Sequence, residues 1–239
     1  MIRSFLLQLG LYTTLYSSVH LWDEKSYKMG LLFVPLIGLL LGGILYGLSL
    51  ALPVNLQPFM LVLVYCLLTG GLHMDGFGDT LDGFLARRGR EEALRIMKDP
   101  HLGTFGLLGV LLLLLGYYSF MTESGKLLLL LPAVGRFSPM LVAYKKNYAR
   151  EQGMGKLFVE SLNLSQSIPW LFILGLLHFL LGEWIYLLTF ILSILFSLLM
   201  GLWCKRSIGG MTGDTIGFTI EATQLFYLLA YTLLEALWI

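Results

Sequence analysis

The stretch richest in chemistry runs from Gly71 to Gly106, GLHMDGFGDTLDGFLARRGREEALRIMKDPHLGTFG, and long apolar runs flank it. Asp75, Asp79 and Asp82 stand at i, i+4 and i+7, with His73 before them and Arg87, Arg88, Arg90, Arg95 and Lys98 after. On a helix this spacing puts the three carboxylates on one stripe. Carboxylates that close repel and raise one another's pKa unless a cation neutralises them. Magnesium is the expected cation, because it binds all-oxygen sites through a few carboxylates plus substrate phosphates. Gly76, Gly78 and Gly83 each weaken a helix by roughly 1 kcal/mol relative to alanine, tolerable where substrate must approach the backbone. A solvated acidic helix face is the simpler explanation, but three aspartates among glycines beside an apolar segment are a poor way to build one.

Other residues join this stripe as candidates. His73 is placed to act as a base or to donate to phosphate. Arg87, Arg95 and Lys98 are expected to hold a diphosphate, since guanidinium groups grip phosphate oxygens in pairs; Arg88 and Arg90 suit anchoring at a membrane surface. Arg136 lies well inside an apolar run, where a charge is costly unless it faces a partner or an aqueous cavity, so it is expected to point towards the site. Asp214 is a fourth candidate ligand, because Gly213-Asp214-Thr215-Ile216 echoes Gly78-Asp79-Thr80-Leu81. Glu221, seven residues on, shares the Asp214 stripe; a site role and a structural role at the start of a helix both remain open. His20 and His178 read as interfacial or packed, with His101 intermediate.

The elements that must position these residues are set by composition. Of 239 residues, 57% are apolar and only 13% charged, about half the charge of an average soluble domain. The fold expected is all-α, a polytopic integral membrane helical bundle forming a single domain over 1–239. A net charge of +1 gives no reason to expect a nucleic-acid partner. Cys66 and Cys204 lack metal-ligand spacing and read as small buried hydrophobes. Residues 1–20 are weakly amphipathic, read as an interfacial helix and not a cleaved signal. Expected spans are Met29–Leu52, a segment from about Gln57 to Gly71, Gly103–Met121, Leu127–Tyr144, Ile168–Leu181, Trp184–Trp203 and Ala222–Ile239, about seven in all at 1.5 Å per residue across a core of about 30 Å. The acidic motif is expected as a helix continuing out of the second span.

Basic residues fix the expected orientation. With Lys25 and Lys28 cytoplasmic, alternation puts 71–102, 145–167 and 204–221 inside with most of the lysines and arginines, and leaves only Lys126 outside. Lys145, Lys146, Arg150 and Lys156 read as mainly topological, with a covering role for the 145–167 loop left open.

Asp79-x-x-Asp82-Gly83-x-x-Ala86-Arg87 resembles the first half of the CDP-alcohol phosphatidyltransferase signature. The second half is missing, since Ile96 stands where that signature asks for glycine. The likeness points to a reaction type, attack of an alcohol on a nucleotide-activated phosphate.

A fuller resemblance covers almost the whole chain. Gly70-Gly71-Leu72-His73-Met74-Asp75-Gly76, Asp79-Thr80, Asp82-Gly83, Arg95 to Asp99 and Gly103 to Gly106 resemble the central block of the cobalamin-5'-phosphate synthase family, the adenosylcobinamide-GDP ribazoletransferases. Phe33 to Gly42, Gly135-Arg136, Ala149-Arg150 with Gly153-Met154-Gly155, and Gly209 to Thr215 with Glu221 are similar to further blocks in the same order. Residues 9–20 lack the proline-containing segment expected of that family. The resemblance implies transfer of a cobinamide phosphate from adenosylcobinamide-GDP to α-ribazole or its 5'-phosphate with release of GMP, a late step of cobalamin assembly. It implies a magnesium requirement, which agrees with Asp75, Asp79 and Asp82 as metal ligands, one of them also a candidate base, and Asp214 as a fourth candidate ligand; the expected setting is a bacterial or archaeal inner membrane with the site facing the cytoplasm. A homo-oligomer is left open. Readings outside this class are a transporter, disfavoured because the aspartates sit at the membrane edge and not its midplane, and a non-catalytic membrane scaffold, which has no need of aligned aspartates.

Overall fold

The computed structural model describes the whole chain except Ser18, Glu123, Ser124, Tyr144, Lys145, Lys146, Met154 and Ile239. The basic pair Lys145 and Lys146, and Met154 of the glycine motif, therefore lie outside the described residues. In chain order the helices are α1 (Ile2–Tyr12), α2 (Glu24–Gly30), α3 (Val34–Ala51), α4 (Gln57–Thr69), α5 (Leu72–Leu85), α6 (Arg90–Ile96), α7 (Thr104–Phe120), α8 (Leu131–Val142), α9 (Lys156–Ser161), α10 (Leu164–Leu180), α11 (Trp184–Ile208) and α12 (Gly213–Trp238). The described residues form helices and one isolated parallel bridge between Tyr148 and Met211, with no strand.

Among the described residues, two helical runs are long and apolar enough to cross a bilayer: Glu24–Ala51, which joins α2 to α3 through a 3-10 turn, and α11. A third is counted if α4 and α5 are taken as one broken span. α7 and α10 are apolar but shorter. The first span starts earlier than expected, because the Asp23 side chain accepts from the Ser26 N–H at 2.8 Å and caps α2. The run expected to cross at Leu127–Tyr144 instead divides into a 3-10 turn, Gly125–Leu129, and the twelve-residue α8. At about 18 Å, α8 is too short to span by itself; it is buried along nearly its whole length and bonds to α12 through Ser138 Oγ, which donates to the Thr219 carbonyl at 3.2 Å. α12 starts at Gly213, nine residues before the expected segment, and so carries Asp214 and Glu221 on the last helix itself.

The acidic helix does not continue α4. Gly70 and Gly71 both take left-handed backbone (φ 63° and 71°), which a side chain would penalise, and the chain turns by 92° between α4 and α5. The freed carbonyls at the end of α4 are satisfied from elsewhere: Thr14 N–H donates to Leu68 O at 2.8 Å and Thr14 Oγ1 to Leu67 O at 2.7 Å. α5 then crosses α12 at backbone contact. A Cβ on Gly76 would sit 2.8 Å from Asp214 Cα, and one on Gly217 would sit 2.9 Å from the His73 carbonyl oxygen. Only glycine at both positions lets the helices approach this closely, and the approach sets Asp214 beside the acidic stripe.

Candidate active site

Asp75, Asp79 and Asp82 do share α5, and their exposure falls along it: Asp75 is exposed, Asp79 half-buried and Asp82 buried. Asp214 enters from the first turn of α12, whose start is fastened reciprocally, Thr215 N–H donating to Thr212 Oγ1 at 3.2 Å and Thr212 N–H to Thr215 Oγ1 at 2.7 Å. A carboxylate in that first turn also meets the positive end of the helix dipole. The third contributor is the loop after α8. Ala149 N–H donates to Met211 O at 2.8 Å and Met211 N–H to Asn147 O at 2.9 Å, so the two loops are held in register. That register delivers Arg150 to Asp214, Nη2 to Oδ2 at 2.7 Å, with side chains only 12% and 22% exposed. Arg150 Nη2 also donates to Met97 O at 3.3 Å. The three polar segments that the charge pattern put on one face therefore meet in space.

The site is short of positive charge. Burial, then the charges of Asp75, Asp214 and Asp82, push the Asp79 carboxyl up to about 7, against the pull of Arg150. Burial likewise raises Asp214, again opposed by Arg150 and aided by Asp75. His73 is buried with its ring 5.4 Å from that of Tyr12 and its Nδ1 without a hydrogen-bond partner. Burial lowers its pKa to about 3, with the charge of Arg136 acting the same way, so the imidazole is neutral at pH 7.

Beside these groups lies a cavity of about 490 Å³. His73, Asp75 and Asp214 form part of its wall, while Tyr12, Trp22, Tyr27, Phe158 and Ile216 make much of the rest apolar and aromatic. Such a basin takes a flat apolar group and presents one end of it to Asp75 and Asp214, with Glu160 also in its wall.

Asp82 has a different neighbourhood. Its Oδ2 accepts from Gly103 N–H at 2.7 Å and its Oδ1 from Gly106 N–H at 2.8 Å, so it closes the N-terminus of α7 from 21 residues away. Both oxygens are engaged in this way, a task the i+7 spacing did not reveal. Among the described residues, no three His, Cys, Asp or Glu side chains are arranged to hold a metal ion by themselves. Magnesium does not require such a cage, since it keeps waters and shares substrate phosphates. The oxygen-only donors and the elevated proton affinity of Asp79 fit a divalent ion held by Asp75 and Asp79 with Asp214 at hand.

The basic candidates are dispersed. Arg87 is exposed in a left-handed conformation (φ 52°) at the end of α5, and Lys98 is exposed. Arg95 forks onto Glu92 at 2.8 and 2.7 Å and lines a smaller cavity, about 270 Å³, with Asp82, Asp99 and His101. None of the three lines the cavity holding Asp75 and Asp214. Arg136 is fully buried on α8; its Nη1 donates to Pro132 O at 3.3 Å, while Nε and Nη2 have no hydrogen-bond partner. It does not line the cavity, and its charge acts on His73 from within the bundle.

Glu221 occupies a buried polar knot joining α4, α7 and α12. Tyr65 donates to its Oε1 at 2.9 Å, Tyr117 to its Oε2 at 2.5 Å, and Gln224 Nε2 to Tyr65 Oη at 2.7 Å. The structural alternative held open for Glu221 is the one this geometry favours. His178 is packed, stacked on Phe190 at 4.6 Å and bonded to Tyr227 Oη at 2.8 Å. Sequence reasoning missed Tyr65, Tyr117 and Arg150 as site or support residues. Tyrosines in apolar runs read as packing, and a lone arginine in a basic loop reads as topology. Gln224 carried a usable signal, one turn after Glu221 on the same stripe.

The profile of the family described as cobalamin-5-phosphate synthase matches residues 4–232. This chain belongs to that family. It is accordingly an enzyme, a transferase of cobalamin biosynthesis. The adenosylcobinamide-GDP ribazoletransferase of Alkaliphilus oremlandii (strain OhILAs) is 40% identical over 227 residues, covering 90% of both chains. The protein of the same name from Clostridium botulinum (strain Kyoto / Type A2) is 34% identical, over 95% of this chain and 96% of its own. That of Acetivibrio thermocellus is also 34% identical, over 89% and 90%. No solved structure matches.

Proposed function

We propose that the chain is an adenosylcobinamide-GDP ribazoletransferase working on the inner face of the cell membrane. One observation carries the reading: Asp75 and Asp214 wall an aromatic cavity, with Asp79 and Arg150 acting on them from alongside. The acceptor, α-ribazole or its 5'-phosphate, places its flat base among Tyr12, Trp22, Tyr27 and Phe158, which turns its ribose towards the carboxylates. A ribose hydroxyl oxygen forms the new bond to the cobinamide-side phosphorus, the bond from that phosphorus to the GMP oxygen breaks, and GMP leaves with the electron pair. Asp79, one helical turn from Asp75 on the same stripe of α5, is suited to take the hydroxyl proton. Arg150 is placed to answer the charge that gathers on the diphosphate. Neutral His73 serves as an uncharged hydrogen-bonding wall of the acceptor cavity. Magnesium, held by Asp75 and Asp79 with Asp214 as a further ligand, would neutralise diphosphate oxygens. Asp82 holds α7 against α5 and so keeps the acidic stripe in place.

The membrane arrangement supported by the charge pattern is about seven crossings, the 3-10 turn at Gly125–Leu129 and α8 together making one of them, with α5, the 145–167 loop and the start of α12 on the cytoplasmic side. The deciding assay combines purified protein, adenosylcobinamide-GDP, α-ribazole or its 5'-phosphate, and magnesium. Stoichiometric GMP and cobalamin (or its phosphate) are expected, with none after chelation. Absence of GMP from the complete mixture rejects the reaction; undiminished GMP after chelation rejects the metal. Labelling of single cysteines placed at 88 and 126 in intact cells tests the sidedness, with only the latter expected to react with a membrane-impermeant reagent.

A further inference from the structure

Arg90, Arg150 and Lys156 come from three different segments, and charge pattern alone assigned them to anchoring or topology. The fold brings them to one polar cavity of about 500 Å³, which Asn147, Tyr148, Glu160 and Gly209 complete. Among the described residues, three cations face one carboxylate there, and that carboxylate, Glu160, sits 3.9 Å from Lys156 Nζ. Arg150 Nε is buried without a hydrogen-bond partner while Nη2 holds Asp214. The guanidinium of Arg90 lies across Gly209, its Cζ 3.2 Å from where a Cβ would stand. Gly209 has φ 80°, so glycine there both ends α11 and leaves room for this arginine.

This basin adjoins the aromatic cavity: Lys156 and Glu160 line both, and Arg150 reaches from one to the Asp214 wall of the other. The aromatic cavity suits a flat apolar group, whereas the second basin gathers two guanidinium groups and an ammonium, with Arg150 Nε unpartnered and Lys156 Nζ donating to Glu151 O at 2.9 Å, the chemistry of a phosphate monoester or diphosphate. We propose that the Arg90–Arg150–Lys156 basin binds the guanosine-phosphate end of the donor and holds GMP as it leaves, so that donor and acceptor approach the carboxylates from opposite sides of the Arg150–Asp214 pair. This rests on the ribazoletransferase reading. The phosphate of an anionic lipid headgroup has the same chemistry, but the shared Arg150 ties this basin to the reacting groups and favours the nucleotide.

The test is calorimetric binding of GMP, guanosine and inorganic phosphate to the full-length protein in phosphatidylcholine nanodiscs, repeated with added phosphatidylglycerol. GMP should bind, guanosine should not, and Arg90→Ala and Lys156→Gln should each weaken GMP about tenfold, the worth of one charge-assisted hydrogen bond. Arg90→Lys should recover part of the loss, which a folding defect would not. In turnover, Arg90→Ala should raise KM for adenosylcobinamide-GDP and leave KM for α-ribazole unchanged. Equal GMP affinity in wild type and both alanine and glutamine variants overturns the assignment, as does displacement of GMP by phosphatidylglycerol together with equal binding of guanosine. If product forms but the variants bind GMP normally, only the basin fails. If phosphate-dependent GMP binding is lost in the variants but no product ever forms, the basin stands and the reaction reading fails.

Discussion

Asp79 and Asp82 are one helical turn apart on the same stripe, yet replacing each by asparagine should have opposite effects on stability. Asp82 accepts two backbone N–H groups, from Gly103 and Gly106, at 2.7 and 2.8 Å in a buried setting. Hydrogen bonds to a charged acceptor contribute about 1.5–3 kcal/mol each. Asparagine keeps one acceptor oxygen and turns an NH₂ towards a backbone N–H, losing one bond and leaving a buried donor without a partner. The combined cost is about 3 kcal/mol. Asp79 has no such partners, and its carboxyl is pushed up to about 7 by burial and three neighbouring carboxylates. A pKa raised on folding means that the protonated form's stability is complete below about pH 4 and is lost as pH rises through about 7. Asp79→Asn should remove that loss, worth about 2 kcal/mol at pH 8, roughly half the full linkage value because the side chain is half-exposed and solvent screens it. Unfolding titrations of the metal-free protein in detergent at pH 8 measure both. If Asp82→Asn matches wild type, or Asp79→Asn is the less stable of the two, the division of labour drawn along α5 is wrong.

Further outcomes follow from the same geometry. Metal-free wild type should be more stable at pH 6 than at pH 8, and saturating magnesium should flatten that slope; the same titrations at two pH values read it. Arg150→Ala removes one partner of a largely buried ion pair and should cost about 3 kcal/mol and slow GMP formation at least about a hundredfold, so retained turnover would remove Arg150 from the site. Gly217→Ala drives a Cβ to 2.9 Å from the His73 carbonyl and should cost about 1–3 kcal/mol by prising α12 from α5, visible as lowered thermal stability. Tyr117→Phe strips one hydrogen bond from buried Glu221 and should lower stability by about 1–3 kcal/mol while leaving KM for both substrates unchanged.

Several features were legible without coordinates. The i, i+4, i+7 aspartates lie on one helix because that periodicity belongs to the α-helix itself, and the apolar runs became helices because a chain in lipid must satisfy its own backbone. The grouping of 71–102, 145–167 and 204–221 followed from where lysines and arginines fall. Less legible were the element ends. The run from Leu127 reads as one uninterrupted helix but divides into a 3-10 turn and the short, buried α8, because apolar composition is the same whether a segment faces lipid or protein. The turn between α4 and α5 hid in Gly70-Gly71, a pair compatible with a kink, a loop or close packing until the 92° change of direction chooses.

Side-chain partnership lay further out of reach. Asp82 meets Gly103 and Gly106, Arg150 meets Asp214, and Glu221 meets Tyr65 and Tyr117, all across separations that no local period encodes. The sequence by itself determined a helical, membrane-class chain of this family with an acidic stripe. Only the tertiary structure decided which carboxylate faces the cavity, which one ties down a neighbouring helix, and which arginine answers them. Helical spacing fixes the direction of a side chain from its own axis, whereas its partner depends on how two axes cross, and here backbone contact at Gly76 and Gly217 sets that crossing.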